Sequence, residues 1–164
     1  CPTSNLFLGS GLFRLFDAKR ADRPVKVGIG TDVGGGTSLS QLQSLNEAYK
    51  IAALNGTKLT AQQALFLATR GGAQALQLDA RIGSLEPGFE ADMVVLDPRA
   101  TPLLAHRTTQ SREIADVLFS LMTFASERSV RATYVAGQCV FDREAGEAPF
   151  RYADQTDASE SVSL

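Results

Sequence analysis

The glycine-rich stretch at residues 25–38 constrains the fold of this chain more than any other feature. Its first part, residues 25–29, is a short apolar run typical of a buried strand in a parallel sheet. Thr31 and Asp32 follow where that strand would end, and three glycines then lead to Ser38, the predicted start of a helix. In (β/α) barrels, active sites lie at the C-terminal ends of such strands. The pattern makes Asp32 the first candidate for chemistry, although an Asp in this position is often only a turn residue.

The same glycines do not fit the known phosphate-binding loops. After Gly28 and Gly30, the dinucleotide-binding fingerprint requires a small residue three positions on, where this chain has Val33. A Walker loop requires Gly-Lys-Ser/Thr, and residues 36–38 read Gly-Thr-Ser. A nucleotide phosphate is therefore not the favoured ligand.

Two helix starts are predicted after the glycines. Ser38 with Gln41, and Thr60 with Gln63, both have the spacing of a capping box. Asn55-Gly56 is a natural stop for the first of these helices. Leucines and alanines recur at helical spacing in both segments, which indicates a buried core face on each helix.

Beyond about residue 80, the pattern changes to a small β-rich unit. Three short strands are predicted, at residues 93–96, 130–135 and 138–141. Ala136-Gly137 would form the hairpin turn between the last two. Apolar residues at helical spacing predict an amphipathic helix over residues 114–125, and residues 99–112 are predicted to form a polar loop.

Histidine and cysteine are scarce in this chain. The chain has one histidine, His106, with no ligand-type residue nearby at a suitable spacing, so a surface position is expected. Two cysteines are too few for a disulfide framework. Cys139 lies in a predicted strand and is expected to be a buried free thiol. Residues 1–5 are expected to be loop.

Composition excludes several broad classes of function. Of the 164 residues, 44% are hydrophobic, which is ordinary for a globular domain. A formal net charge of −2 argues against a nucleic-acid partner, which would require a basic surface. No apolar run is long enough to span a membrane, and no secretory leader is evident. We expect a cytoplasmic protein, and the start at Cys1 is typical of an internal piece.

Several motifs together resemble the bacterial-type guanine deaminases of the amidohydrolase superfamily. The resemblance extends over residues 1–143, and its most specific parts are residues 1–11, 30–38, 45–50, 67–69, 82–83, 87–88, 90–92, 95–98 and 134–135. It implies a zinc-dependent (β/α)8 hydrolase that converts guanine to xanthine and ammonia. Asp32 matches the Asp at the end of the eighth barrel strand, which in that family binds the metal and takes a proton from the zinc-bound water.

The resemblance also shows what this chain lacks. The other zinc ligands of the family are an HxH pair and a further histidine, and a glutamate and another histidine complete the chemistry. A chain with the single residue His106 cannot contain them. We therefore expect the C-terminal part of such an enzyme, which binds no catalytic zinc and has no activity by itself.

The expected fold class is α/β, with the last strand and helices of a barrel followed by part of a small β-sandwich. Residues 1–80 would belong to the barrel, residues 81–143 to the β-sandwich portion with one helix, and residues 144–164 to a disordered tail. Residues 1–80 would be only marginally stable without the rest of the barrel. The complete enzyme would be a homodimer with no membrane partner.

Two alternatives remain open at the level of sequence. One is a related amidohydrolase that deaminates another ring, such as an aminopurine, a pterin or a triazine. The other is a non-catalytic truncated chain that binds a partner subunit.

Overall fold

The computed structural model describes residues 1–22 and 24–145, which form a layer of helices beside a small sheet. The helices in these ranges are α1 (Pro2–Phe7), α2 (Leu15–Ala18), α3 (Gln41–Leu54), α4 (Ala61–Ala68), α5 (Arg70–Ala75), α6 (Pro102–Thr109) and α7 (Ile114–Phe124). A 3-10 turn covers Glu127–Ser129. The strands are β1 (Met93–Leu96), β2 (Val130–Val135) and β3 (Gln138–Asp142). The chain is thus α/β, as expected.

The core lies where α3, α4 and α7 meet. Its buried side chains are Leu45, Ala48, Ala52, Leu59, Ala61, Ala64, Leu67 and Met122. Half of them are alanines, which allow the helix backbones to approach closely. Tyr49 on α3 adds an edge-to-face contact with Phe119 on α7, with ring centroids 5.4 Å apart. The helix predicted near residue 120 therefore packs on the helices that follow Asp32.

The sheet is antiparallel, with the strand order β1-β2-β3. Met93 pairs with Tyr134 across the first strand pair, and Val135 pairs with Gln138 across the second. The hairpin turn is confirmed, since Ala136 and Gly137 both have positive φ, at 49° and 78°. All three predicted strands are confirmed.

Within the described residues, the strand predicted at residues 25–29 does not form. These residues have an extended course, but no described segment pairs with them as a strand. Their backbone groups bond to helices instead: the Ile29 N–H donates to the Leu67 carbonyl at 3.1 Å, and the Val25 N–H donates to the Ala18 carbonyl at 3.0 Å. An apolar run indicates burial, but a strand also requires a neighbouring strand.

One of the two predicted capping boxes is wrong and the other is confirmed. The first long helix begins after Ser40 rather than Ser38, and the Ser38 Oγ accepts a hydrogen bond from the Ser40 N–H. Gln41 is the first residue of α3 rather than the third, and its side chain donates to the Ile29 carbonyl. At the start of α4, Thr60 and Gln63 make both bonds of the capping box.

Two segments predicted as loops contain helices. Residues 1–5 lie largely in α1, which has Pro2 in its first turn, a favoured position for proline. Residues 99–112 contain α6, whose first turn is capped by the Thr101 side chain accepting from the Leu104 N–H. Leu104 is fully buried and fixes α6 against the rest of the protein. His106 lies on α6 and is exposed, as predicted.

Cys139 is exposed, so the prediction of a buried thiol is wrong. It lies on β3, an edge strand of the sheet whose residues 138–141 are all exposed. An alternating apolar run does not show whether the opposing layer is present. Most of the predicted disordered tail, residues 146–164, lies outside the described residues. Among the described helices, none is both long and apolar enough to cross a membrane.

Candidate functional site

Asp32 lies in a tight turn between the extended segment and α3. Its backbone is left-handed, with φ of +48°, a conformation that costs energy for any residue but glycine. The turn is closed by the Gly36 N–H, which donates to the Asp32 carbonyl, and by the Gly34 N–H, which donates to the Gly36 carbonyl at 3.2 Å. The Asp32 side chain is exposed. A carboxylate held on a constrained backbone, with free access from one side, suits binding of a cation or of water.

Only glycine fits at position 36 without a shift of the backbone. A Cβ at this position would overlap the Thr31 carbonyl oxygen and would lie 2.7 Å from the Thr3 Oγ1. Gly36 is buried and has no room for a side chain. Its role is thus close packing against α1 and the preceding backbone.

The other two glycines shape the space around the carboxylate. A Cβ on Gly35 would lie 3.2 Å from the Asp32 Oδ2, 3.4 Å from the Ser4 Oγ and 3.3 Å from the Leu8 Cδ1. The Asp32 carboxylate and the Ser4 hydroxyl therefore flank the same point. Gly34 has φ of +115°, a conformation that glycine adopts far more readily than other residues.

The extended segment that carries Asp32 is anchored close to α5. A Cβ on Gly28 would lie 2.7 Å from the Gly72 Cα, so the backbones touch at this point. Cys1 lies beside Gly30, with its Sγ 3.5 Å from the position of a Cβ there. These contacts, with the hydrogen bond from Ile29 to Leu67, fix the path of the chain into the turn.

A cavity lies close to the segment that carries Asp32, but Asp32 does not line it. It has a volume of about 320 Å³ and lies between α3 and the extended segment, lined mainly by apolar groups such as Ile51, Val27 and Phe16. Its lining includes Cys1 and Asp17 but none of residues 31–36. We therefore place the candidate chemistry at the turn rather than in this cavity.

Asp32 is brought together with α1, but not with a set of metal ligands. Among residues 1–22 and 24–145, no three His, Cys, Asp or Glu side chains lie together as a metal site would require. His106 lies on α6, apart from any such group. The described residues thus offer one carboxylate ligand, and they do not by themselves fit a resident catalytic zinc, which needs at least three protein ligands.

Sequence reasoning identified Asp32 but missed the residues that hold it. Thr3 contacts the turn from α1, and Gly36 closes the turn at its C-terminal end. These two residues lie 33 positions apart in the chain. Asn5, next to Ser4, donates to the Ser10 Oγ at 3.2 Å and so stabilises the segment that follows α1. The signal that could have found Thr3 is the small polar run at residues 3–5 directly after Pro2, since buried hydroxyls in such runs bond to backbone carbonyls.

The chain belongs to the amidohydrolase family, whose family model matches residues 1–140. Within that family it is similar to guanine deaminases. It is 52% identical over 143 residues to the guanine deaminase of Escherichia coli strain K12, a match that covers 87% of this chain and 32% of the relative. The chain therefore spans about a third of the length of the curated relatives it matches.

Solved structures show the same similarity. E. coli guanine deaminase superposes with a TM-score of 0.84 over 87% of this chain and 33% of its own. Guanine deaminase from Bradyrhizobium japonicum gives 0.81 at 36% identity, covering 87% of this chain and 37% of that one. An adenosine deaminase from Xanthomonas campestris with bound zinc gives 0.69 at 31% identity, covering 85% and 30%.

Proposed function

We propose that this chain is the C-terminal part of an enzyme that hydrolyses guanine to xanthine and ammonia, with Asp32 in its reaction centre. The observation that carries the proposal is the constrained turn, in which a left-handed Asp32 presents an exposed carboxylate. The similarity to guanine deaminases at 52% identity supports the choice of substrate.

In the complete enzyme, the segment at residues 25–29 would be the last strand of a (β/α)8 barrel. Its backbone has no strand partner within the described residues, and exposed apolar side chains include Val25 within it, Val33 after it and Leu8 beside the turn. Further polypeptide packed there would bury this surface and pair the segment. We propose residues 1–80 as the barrel part and residues 81–143 as part of a β-sandwich.

Asp32 would be one of several ligands of a zinc ion. The remaining ligands would come from the rest of the complete enzyme, because the described residues contain no further ligand set. When bound in such a site, zinc lowers the pKa of its water toward about 7, which makes a nucleophile available at neutral pH. The metal of the related adenosine deaminase from X. campestris supports this part of the proposal.

The role of Asp32 in the reaction is to hold or accept a proton of the attacking water at its carboxylate. The water then adds to the amine-bearing carbon of the ring, and that amine leaves as ammonia. The exposed side of the turn leaves room for a ring to approach the carboxylate, because Gly34 and Gly35 place no side chain there.

The 164-residue chain by itself would be inactive, because one carboxylate cannot hold a catalytic zinc ion. We propose a cytoplasmic homodimer as the form of the complete enzyme. A truncated, non-catalytic chain that binds a partner subunit is the alternative for the chain alone.

A second candidate function is deamination of a different ring. The similarity to an adenosine deaminase at 31% identity specifically favours this alternative. Asp32 would serve the same chemistry with either substrate, since its proposed role is on the attacking water rather than on the ring.

The test measures ammonia release by the complete enzyme, meaning this chain together with the rest of its polypeptide. The substrates compared are guanine, adenosine, pterin and an aminotriazine. We expect release from guanine with a kcat/KM at least about 10²-fold above the others, the scale on which hydrogen-bonded recognition discriminates. Release from another ring but not from guanine would establish the second candidate. No release from any ring would leave the partner-binding alternative.

A further inference from the structure

Thr3 lies on α1 and reaches the backbone of the candidate site. It is buried, with 2% of its surface exposed. Its hydroxyl donates to the Thr31 carbonyl at 3.0 Å, across 28 residues of sequence. Thr31 is the residue directly before Asp32, so this bond fixes the peptide group from which the Asp32 side chain starts.

Three groups converge on Gly36. The position where its Cβ would lie is 2.7 Å from the Thr3 Oγ1 and 2.9 Å from the Asp32 carbonyl oxygen, and overlaps the Thr31 carbonyl. Gly36 also donates its N–H to the Asp32 carbonyl. The Thr3 hydroxyl, the peptide groups on both sides of Asp32 and the closing glycine thus form one packed layer.

The backbone of Asp32 needs such support. Its φ of +48° lies in the left-handed region, which residues other than glycine occupy only when their surroundings hold them there. One side of the turn is exposed at Val33 and Gly34, so the restraint must come from the opposite side, which faces α1. Among the described residues, the side-chain hydrogen bond found between α1 and this turn is the one that the Thr3 hydroxyl donates.

We propose that Thr3 is a positioning residue for Asp32, acting through the Thr31 carbonyl. The proposal rests on the proposed function in that Asp32 is taken as the reacting carboxylate. Thr3 is buried and acts on the backbone of the turn, so its proposed role is not that of a reacting group. Its hydroxyl sets the direction of the Asp32 side chain, and its loss lets the turn relax.

The test compares Thr3→Val with Thr3→Ser in the complete enzyme. Valine keeps the shape of the side chain but has no donor, and serine keeps the donor. Thr57→Val is a matched control, because the Thr57 Oγ1 donates to the Ala52 carbonyl at 2.9 Å beyond the far end of α3 from Asp32. This control removes the same kind of bond without touching the turn.

We expect Thr3→Val to lower kcat by about 10-fold to 100-fold, because small displacements of a catalytic group have effects of this size. KM for guanine should change by less than about threefold, since Asp32 acts on the water rather than on the ring. Thr3→Ser should restore most of kcat, and Thr57→Val should retain it. Wild-type kcat in Thr3→Val, or no recovery in Thr3→Ser, would overturn the proposal.

Hydrogen exchange measured by mass spectrometry gives a readout independent of activity. In Thr3→Val, exchange should accelerate in residues 31–36 while it stays unchanged in α4 and α7, and Thr57→Val should not alter residues 31–36. Unchanged exchange there, or acceleration throughout the protein, would contradict a positioning role. If the wild-type enzyme deaminates no guanine, the proposed function fails, and this exchange experiment still decides whether Thr3 holds the turn.

Discussion

Residues with positive φ occur both in the turn at residues 31–36 and in the hairpin of the sheet, but their surroundings differ. In the sheet, Ala136 and Gly137 form a hairpin turn between two adjacent strands, and their N–H groups donate to the Asp92 side chain at 2.8 Å and to the Ala91 carbonyl at 3.0 Å. In the turn, Asp32 is held by Thr3 on α1 and by Gly36. Both turns thus receive hydrogen bonds from distant parts of the chain, but the hairpin is closed by the two strands that flank it, whereas the turn at Asp32 is held against α1.

The largest effect in this comparison is expected for Gly36→Ala. An added methyl group would overlap the Thr31 carbonyl and crowd the Thr3 hydroxyl, so the turn must move. Overpacking of this kind costs about 1–3 kcal/mol of unfolding free energy. Displacement of Asp32 should lower kcat/KM for guanine by at least about 10²-fold in the complete enzyme. Steady-state kinetics and thermal unfolding measure the two effects.

Gly72→Ala is the matched control for that variant. A Cβ on Gly72 has one neighbour within 4 Å, the Leu67 carbonyl oxygen at 3.5 Å, which is an ordinary contact. Since Gly72 lies within α5, alanine should leave the stability unchanged or raise it by up to about 1 kcal/mol. Equal losses of stability and of kcat/KM in Gly36→Ala and Gly72→Ala would show that the turn is no more sensitive to an added methyl group than an ordinary helix.

The smallest change in unfolding free energy is expected in the sheet region, for Asp97→Asn. Asp97 follows β1 and accepts a hydrogen bond from the Arg143 guanidinium at 2.7 Å and from the Arg99 N–H at 2.8 Å. These bonds, that from Arg143 foremost, lower the pKa of Asp97 below its ordinary value of 3.8. Both side chains are partly exposed, so the variant should lose less than about 1 kcal/mol at neutral pH.

The sign of the pH dependence follows from the lowered pKa. The carboxylate stabilises the folded state above its unfolded pKa, and this contribution is lost as the pH falls through the lower folded pKa. The melting temperatures of wild type and Asp97→Asn should therefore converge in acid. Arg143→Gln removes the same ion pair and also the bond to the Arg128 carbonyl. Because the two single variants share the ion pair, the double variant should lower the melting temperature by less than the sum of the two. A difference that persists below about pH 2 would refute the ion pair as its cause.

Elements with local signals were predictable from the sequence. The capping box of Thr60 and Gln63, the hairpin at residues 136–137 and the strand at residues 93–96 are each marked by a pattern of neighbouring residues. The strand predicted at residues 25–29 failed because a strand is defined by its partner, and an apolar run does not show whether a partner is present. The loop predicted over α6 failed because burial of Leu104 outweighs the polar composition around it.

The candidate site was predictable only in part. Asp32 was identified from its place between an apolar run and three glycines. Its left-handed backbone and its support by Thr3 were not, because these depend on a contact between residues 28 positions apart. The same holds for Gly36, which the sequence marks as flexible and the structure shows to be required for close packing.

The most direct test of the account is ammonia release from guanine by the complete enzyme, measured for wild type beside Asp32→Asn. Asparagine keeps the size of the side chain but removes the charge proposed to serve both metal and proton. We predict activity in the wild type and a loss of at least about 10³-fold in the variant, the scale for removal of a central catalytic group. Near-normal turnover in Asp32→Asn would contradict the assignment of this turn as the reaction centre.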